Sequence, residues 1–270
     1  MRPTPPRVVL CLLLATCSLF GQQSPALPGS ASAQATGVAA TTEETRALLR
    51  AAVQASGGPK AGTLRSSFAI VQVTSYTPEG PVVSRTTIKT SGFDKFRLEP
   101  ENSANPMIVS NGTVTNIRDG NQRLVVPQLS VGPASVEILP WLAVLQDASD
   151  LNCTLIDKGV AVEDSATVHR IQLHRKGTTE GNGLKYEVTL DSQSLLITAV
   201  KFERQSTGNK HATVDVEFRF SDSQMTDGVN VPRQISQYVR GQKLVDIQVL
   251  SFAVNPAVAA GDFDVVVQHE

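Results

Sequence analysis

The sequence predicts one long antiparallel β-sheet, with two helices available to cover one of its faces. In the clearest strands apolar and polar residues alternate, as over 184–190 and 214–220. Such alternation places one face of an antiparallel sheet on a core and the other in water. Turn motifs separate the strands, among them Asn111-Gly112, which favours a tight hairpin. Apolar residues recur at helical spacing in two windows, near 48–53 and 138–145.

The N-terminus has the order of a cleaved secretory signal. Arg2 and Arg7 precede an apolar stretch from Val8 to Phe20, and Ala31-Ser32-Ala33 forms a small-x-small cleavage site. The apolar run is shorter than the roughly 20 residues that a membrane-spanning helix needs. Leu14-Ala15-Thr16-Cys17 loosely matches a lipoprotein-modification box, so a lipid-anchored form is the competing interpretation. The expected organisation is a signal peptide over 1–33, a flexible tether over 34–40 and one domain over 41–270.

The charge pattern argues against nucleic acid as a partner. The signal carries two of the 24 basic residues and none of the 25 acidic ones, so its removal leaves a net charge of −3 with both signs interspersed. Without a basic stripe, nucleic acid is not an expected partner.

Cys11 and Cys17 belong to the signal, which leaves Cys153 alone and no intrachain disulfide. Because Leu151 and Leu155 flank it, we expect Cys153 to be a small buried core residue rather than a nucleophile or a dimer link.

Local signals mark the two helices. In Thr41-Thr42-Glu43-Glu44 the Thr41 hydroxyl can accept from the Glu44 amide while the Glu44 carboxylate reaches back, as in a capping box. Gly57-Gly58-Pro59 ends this helix, because glycine tolerates a left-handed cap and proline prevents continuation. The first helix should therefore span about 43–56. A second, shorter helix is expected over about 139–147, with Trp141, the only tryptophan of the chain.

The curvature of the sheet raises the question of a cavity. A twisted sheet of about ten strands must curl or close, and its concave face must then be filled. Aromatic residues make up only 5% of the chain, so large fillers are scarce. If the helices fill the concavity incompletely, an apolar cavity remains, which is the usual form of a ligand site. If they complete the core, nothing binds there, and alternation alone leaves both outcomes open.

The sequence contains no nucleophile elbow, zinc-binding His-Glu-x-x-His motif, phosphate loop or paired Cys-x-x-Cys. His169 and His174 lie in one predicted strand, where a separation of five residues puts them on opposite faces. His211 begins another strand and His269 is in the tail, so solvated histidines are expected, with a site assembled from distant strands as the alternative. We predict no catalytic residue, metal or cofactor, and no enzymatic activity.

Several segments together resemble the bacterial LolA-like family, which includes the periplasmic carrier of outer-membrane lipoproteins. The run from Leu48 to Val53 into Gly57-Gly58 is similar to the family's first helix. The most specific match is Phe93-Asp94-Lys95-Phe96-Arg97-Leu98-Glu99-Pro100 followed by 107–113, which resembles the family's Phe-Arg strand, a hydrophobic strand and a turn. The resemblance spans nearly the whole mature chain. Further similar segments are 139–145, 186–191, 196–202, 228–232, 254–257 and 263–265.

The resemblance implies a mainly β (α+β) fold, a single curled antiparallel sheet of about ten to eleven strands that forms an unclosed β-barrel. The N-terminal and mid-chain helices would be a lid over an apolar cavity that receives acyl chains. It implies a monomeric periplasmic carrier that binds a lipid or an acylated protein. From the family and the lid helices, we expect the ligand to contact seven apolar residues: Leu49, Val53, Phe96, Leu98, Trp141, Leu142 and Leu145.

One position departs from the family. The lipoprotein carriers have an Arg-Pro pair before the Phe-Arg strand, with the arginine tied to lid control. This chain has Thr90-Ser91-Gly92 there, and Arg97 is part of the strand itself rather than a substitute. Apolar ligand binding is therefore expected without that arginine.

A second interpretation assigns the fold a different task. An envelope sensor or scaffold would bind a partner protein without transporting a ligand, for example by pairing a peptide strand with an exposed sheet edge. Relatives of the fold that act as regulators in envelope-stress pathways motivate this alternative. Bound acyl chains would favour the carrier, and a stoichiometric protein partner without lipid would favour the sensor.

Overall fold

The structure is a computed structural model that describes residues 42–92, 94–102, 106–120, 122–127, 139–147, 153–175, 184–205 and 213–265. The expected signal peptide and tether lie outside these residues. The helices are α1 (Thr42–Ala55), α2 (Pro59–Gly62) and α3 (Pro140–Asp147). The strands are β1 (Ser66–Thr77), β2 (Gly80–Ser91), β3 (Lys95–Pro100), β4 (Met107–Asn111), β5 (Val114–Asp119), β6 (Gln122–Pro127), β7 (Cys153–Glu163), β8 (Ala166–Arg175), β9 (Leu184–Asp191), β10 (Ile197–Gln205), β11 (Thr213–Thr226), β12 (Val229–Val239) and β13 (Gln242–Val254).

All of these strands form one antiparallel sheet in the order β6-β5-β4-β3-β2-β1-β13-β12-β11-β10-β9-β8-β7. Two meanders, β1–β6 and β7–β13, meet where β1 pairs with β13. In the described part of the chain, the outermost strands β6 and β7 do not pair with each other, so the sheet stays open. The predicted mainly β fold with an unclosed half-barrel is confirmed.

Within the described ranges the sheet has thirteen strands, against about ten to eleven expected from the sequence. Bulges explain part of the difference, because an extra residue shifts the phase of the alternation within one strand. In β7 the register with β8 shifts between Asp157 and Gly159, and in β10 it shifts between Ile197 and Ala199. Two more extra residues lie in β13: Leu250 is skipped in the pairing with β1, and Leu244 is skipped in the pairing with β12. Bulges also bend strands, which is consistent with a curled sheet.

The predicted hairpins are confirmed, and their turn residues show why. Asn111 Oδ1 accepts from the backbone N–H groups of Thr113 and Val114, at 2.9 and 3.0 Å. This Asx turn links β4 to β5. Between β11 and β12, Asp227 and Gly228 have φ values of 50° and 78°, the left-handed pair that a tight two-residue hairpin requires.

The helices also agree with the local signals. α1 ends at Ala55, and Gly57 and Gly58 follow with φ values of 128° and 58°, conformations that suit glycine. The proposed cap Thr41 lies outside the described residues. α2 was not expected, since we assigned Pro59 only the role of a helix stop, whereas proline also suits the first position of a new helix. No helix within the described ranges is long and apolar enough to cross a membrane.

The two faces of the sheet differ in chemistry. We call the face that carries the buried alternate side chains, and that the helices cover, the inner face. The outer face is polar: Lys201 lies opposite Glu217 on one neighbouring strand and Glu187 on the other. Asp246 accepts hydrogen bonds from the Tyr76 hydroxyl at 2.6 Å and from the Ser236 hydroxyl at 2.5 Å. Any site for an apolar ligand must therefore lie on the inner side.

Candidate functional site

The inner face is an extended apolar surface. Strands β8 to β13 each contribute at least two buried aliphatic or aromatic side chains, which join those of α1 and α3 in one hydrophobic cluster. Phe202 and Phe218 stack there with ring centroids 6.2 Å apart. The largest inner side chains on these strands are Tyr186, Phe202, Phe218, Phe220 and Phe252. Such a surface can bind hydrocarbon but offers little to a polar substrate.

α3 packs against this surface. In sequence α3 lies between β6 and β7, the two edge strands, and its buried side chains belong to the hydrophobic cluster of the inner face. Every residue from Leu139 to Leu145 is buried, and Trp141 packs on Phe252 of β13 with ring centroids 5.6 Å apart. Five successive side chains span more than one helical turn, so α3 is buried on all sides. α3 therefore lies on the inner side of the curled sheet and fills part of it, and we call it the plug.

α1, in contrast, covers the sheet with one face only. Leu49 and Val53 are buried, while Glu43 and Arg50 form an exposed ion pair of 2.6 Å that contributes little to stability. At the edge of the sheet, the Arg46 guanidinium donates to the Cys153 carbonyl of β7 at 3.4 Å. α1 is thus a lid with an apolar underside and a solvated back.

The tip of the β11–β12 hairpin holds the C-terminal end of α1. Asn230 donates from its backbone N–H to the Ser56 carbonyl and from Nδ2 to the Ala55 carbonyl, both at 2.8 Å. The backbones approach so closely here that a Cβ on Gly57 would clash with the Gly228 carbonyl oxygen. Glycine at position 57 therefore permits the contact between lid and hairpin.

A second asparagine holds the segment between α2 and β1. Asn255 Oδ1 accepts from the backbone N–H of Arg65 at 2.7 Å and of Ser66 at 3.2 Å, and Nδ2 donates to the Thr63 carbonyl at 3.2 Å. Asn230 and Asn255 are therefore polar anchors on either side of α2, the first at the end of α1 and the second at the start of β1. Between them, Lys60 Nζ donates to the Asp227 carbonyl of the β11–β12 hairpin at 2.9 Å.

The stretch Thr90-Ser91-Gly92, which stands in this chain where the lipoprotein carriers have their Arg-Pro pair, lies in the described part of the structure. Thr90 is buried and its hydroxyl shares a 2.7 Å hydrogen bond with the Ser67 hydroxyl. On the outer side of the same strands, Lys89 forms a 2.6 Å ion pair with Asp262 of the C-terminal segment. Between that segment and β1–β2 lies a pocket of about 140 Å³. This volume is well below the roughly 300–1,000 Å³ of ordinary ligand pockets.

The structure brings all seven predicted ligand contacts into one buried cluster. Leu49 and Val53 lie on the buried face of α1, Phe96 and Leu98 lie on the inner face of β3, and the remaining three belong to α3. The helices and the sheet share these side chains as their common core. Their contact with a ligand stays a prediction.

Sequence reasoning missed the residues that hold the lid. Segments 228–232 and 254–257 were noticed only as similarities to relatives, without a role for Asn230 or Asn255. Both asparagines bond to backbone more than 170 positions away, so no local pattern could have assigned them. The inner residues of β9 and β11 were recognised as core positions but not as part of the candidate site.

The titratable groups do not form a catalytic arrangement within the described ranges. Cys153 is buried in the hydrophobic cluster, as predicted. His169 Nε2 lies 3.0 Å from Asp157 Oδ1, whereas His174 is exposed on the opposite face. His211 and His269 lie outside the described residues. No group of three metal-binding side chains occurs in the part of the chain that the structure describes.

Comparison with known proteins gives structural but not sequence matches. No family model matches the chain, and neither does any curated protein. A putative outer membrane lipoprotein-sorting protein domain from Vibrio parahaemolyticus matches with a TM-score of 0.57 at 10% identity, over 83% of this chain and 97% of that one. A DUF1329 family protein from Desulfovibrio piger gives 0.54 at 11% identity, over 82% and 97%. A LolA superfamily protein from Nitrosomonas europaea gives 0.52 at 10% identity, over 79% and 94%.

At 10–11% identity these matches establish a shared architecture rather than a shared activity. They cover nearly the full length of each solved chain, so the likeness extends to the complete half-barrel with its helices. The resemblance noted in the sequence is thereby confirmed at the level of the fold: the chain adopts the same fold as these LolA-like structures.

Proposed function

We propose that the chain is a non-enzymatic carrier or binding protein of the cell envelope, which takes up an apolar ligand between the inner face and the lid helices. The ligand is a lipid or the acyl chains of a lipoprotein. The observation that carries the proposal is α3, a short helix buried on every side within an apolar concavity. A helix of eight residues has little stability of its own, so it depends on the sheet for its structure.

An acyl chain could insert between α3 and strands β8–β11, with Trp141 remaining on Phe252, without a large net change in apolar burial. Each methylene group of the ligand that moves from water to the apolar surface stabilises the complex by about 0.8 kcal/mol. The side chains of α3 that leave the sheet lose a comparable free energy of burial, unless they become buried elsewhere. The ligand's apparent affinity is then reduced by the cost of moving the plug. A carrier benefits from such moderate affinity because it has to release its ligand.

Lipid analysis of the purified protein tests the proposal. The protein is isolated from its own host, and native mass spectrometry is combined with extraction and identification of bound lipid. We expect acyl ligands near stoichiometric amounts. The matched control is Leu145→Asp, purified in parallel, which should carry none because a carboxylate replaces apolar surface. A well-folded wild-type protein that is empty in every preparation would overturn the carrier function.

The envelope location is supported by the order of the N-terminal segments and by the similarity to a putative outer membrane lipoprotein-sorting protein domain. We infer cleavage after Ala33 and release into the periplasm. N-terminal sequencing of the mature protein tests this directly. A start at Cys17 with an attached lipid would establish the anchored form instead.

One observation favours the sensor as a second candidate function. The edge strand β7 exposes Ile156, Val160 and Val162, with exposed fractions of 41%, 54% and 73%. An unpaired apolar edge can accept a strand from another chain. Val160→Lys should abolish capture of such a partner and leave the lipid content unchanged. Loss of the lipid with no change in partner capture would count against this role.

A further inference from the structure

The two halves of the inner face differ in polarity. On β8–β11 the inner positions hold aliphatic and aromatic side chains, such as Ile171, Val188 and Phe218. On β1–β5 hydroxyl groups are interspersed with apolar residues and are nearly inaccessible to solvent. The buried inner hydroxyl residues of this half are Ser67, Ser75, Thr86, Thr90, Ser110 and Thr115. The interior is therefore amphiphilic rather than uniformly apolar.

Two buried donors in this region have no acceptor. Trp141 Nε1 and Thr86 Oγ1 are buried and have no hydrogen-bond partner within the described part of the chain. Other hydroxyls of the same face do have one: Thr90 bonds to Ser67, and Ser110 Oγ donates to the Asp94 carbonyl at 3.1 Å. Buried groups of this kind are nearly always satisfied in folded proteins, since leaving one unsatisfied is unfavourable.

The pairing of the strands places both donors over one region of the sheet. Trp141 packs on Phe252, which lies opposite Ala69 of β1, and Ala69 lies opposite Ile88 of β2. Thr86 is two positions from Ile88 on the same face. Two strand spacings and two residues along a strand separate Phe252 from Thr86 by roughly 12 Å. The buried indole of Trp141, which packs on Phe252, and the buried Thr86 hydroxyl thus belong to the inner face where the two meanders meet.

The geometry points to an acyl ligand that carries ester carbonyl groups, rather than a plain hydrocarbon chain. Its ester region lies over β13–β1–β2, where its carbonyl oxygens accept from Trp141 Nε1 and Thr86 Oγ1. Its hydrocarbon chains extend over the aliphatic and aromatic surface of β8–β11. An indole N–H can only donate, so the ligand must supply an acceptor. This inference rests on the proposed carrier function and names the chemical class of its ligand.

A matched pair of lipids tests the ester preference. The dissociation constants of dioleoyl phosphatidylglycerol and of its dialkyl ether analogue, with the same chains and head group, are measured with the full mature protein. The ether lacks the carbonyl acceptors. We expect the ester to bind more tightly, by about 2- to 12-fold for each hydrogen bond formed. Trp141→Phe and Thr86→Val should each reduce this ratio.

Thr90→Val is the matched control for Thr86→Val. Removing the Thr86 hydroxyl leaves no partner behind, so the Tm of the lipid-free protein should stay the same or rise. Removing the Thr90 hydroxyl leaves Ser67 without its partner, so the Tm should fall while the ester-to-ether ratio stays at the wild-type value. Equal binding of ester and ether by the wild type, or an ester-to-ether ratio that neither Trp141→Phe nor Thr86→Val changes, would overturn the ester preference. The carrier function would still stand in that case. If neither lipid binds, the carrier function fails as well.

Discussion

Loosening the lid at its hairpin anchor should raise the rate at which α1 opens. Asn230→Ala removes the 2.8 Å bond from Nδ2 to the Ala55 carbonyl and keeps the backbone bond to Ser56. A bond between neutral groups contributes about 0.5–1.5 kcal/mol. The equilibrium constant for detachment of α1 should therefore rise about 2- to 12-fold. Ala55 is only half-buried, so water can reach its carbonyl and the lower end of this range is expected.

Hydrogen exchange measures this opening segment by segment. A detached helix of 14 residues is marginal in water, so its amides exchange once α1 leaves the sheet. In Asn230→Ala the amides of α1 should exchange faster by the predicted factor, and those at the centre of β1 and β13 at the wild-type rate. Gln72→Ala, at an exposed position of β1, serves as the control and should change neither.

Two results would refute this reasoning. Unchanged exchange in α1 would mean that Asn230 does not limit the opening of the lid. Equal acceleration of all amides would mean that Asn230 stabilises the whole domain, so that α1 is part of one cooperative unit and not a lid.

Three further predictions concern the core and the C-terminal segment. Phe96→Ala should lower the free energy of unfolding by about 3–5 kcal/mol in urea titrations, because Phe96 is buried on the inner face, and a loss below about 1 kcal/mol would contradict its core position. Leu142→Asp and Leu145→Asp should both lose retained lipid in native mass spectrometry and unfold at a lower temperature, and wild-type lipid content would refute the role of α3. The hydrogen bond from Lys89 is the main cause of the lowered pKa of Asp262. The Tm difference between wild type and Asp262→Asn should therefore be complete above about pH 4 and vanish as the pH falls further. A Tm difference that does not depend on pH would be inconsistent with this ion pair.

Local chemistry explains what could be predicted from the sequence. α1 and its end at Gly57-Gly58 follow from helical periodicity and from residues that tolerate positive φ. Alternation identified Tyr186 and Val188 as neighbours on a buried face. These features depend on residues within a few positions of one another, so no knowledge of the tertiary structure was needed.

Register and long-range contacts explain what could not be predicted. Thr86 and Thr90 look alike in the alternation of β2, yet only the pairing with β1 places Ser67 opposite Thr90 and Val71 opposite Thr86. The strand count was too low because bulges such as the one at Asp157/Gly159 shift the alternation. The plug position of α3 depends on contacts with strands distant in sequence, such as Trp141 on Phe252, which no single segment encodes.

Quenching of Trp141 by brominated lipid tests most directly whether acyl chains enter the interior beneath the helices. Trp141 is the only tryptophan and is buried on Phe252, so its emission reports on that one place. Acyl chains brominated near their middle quench an indole only at close range, and the unbrominated lipid serves as the control. We predict saturable quenching by the brominated lipid and none by the control. Stoichiometric binding that leaves Trp141 emission unquenched would place the ligand elsewhere and contradict the account.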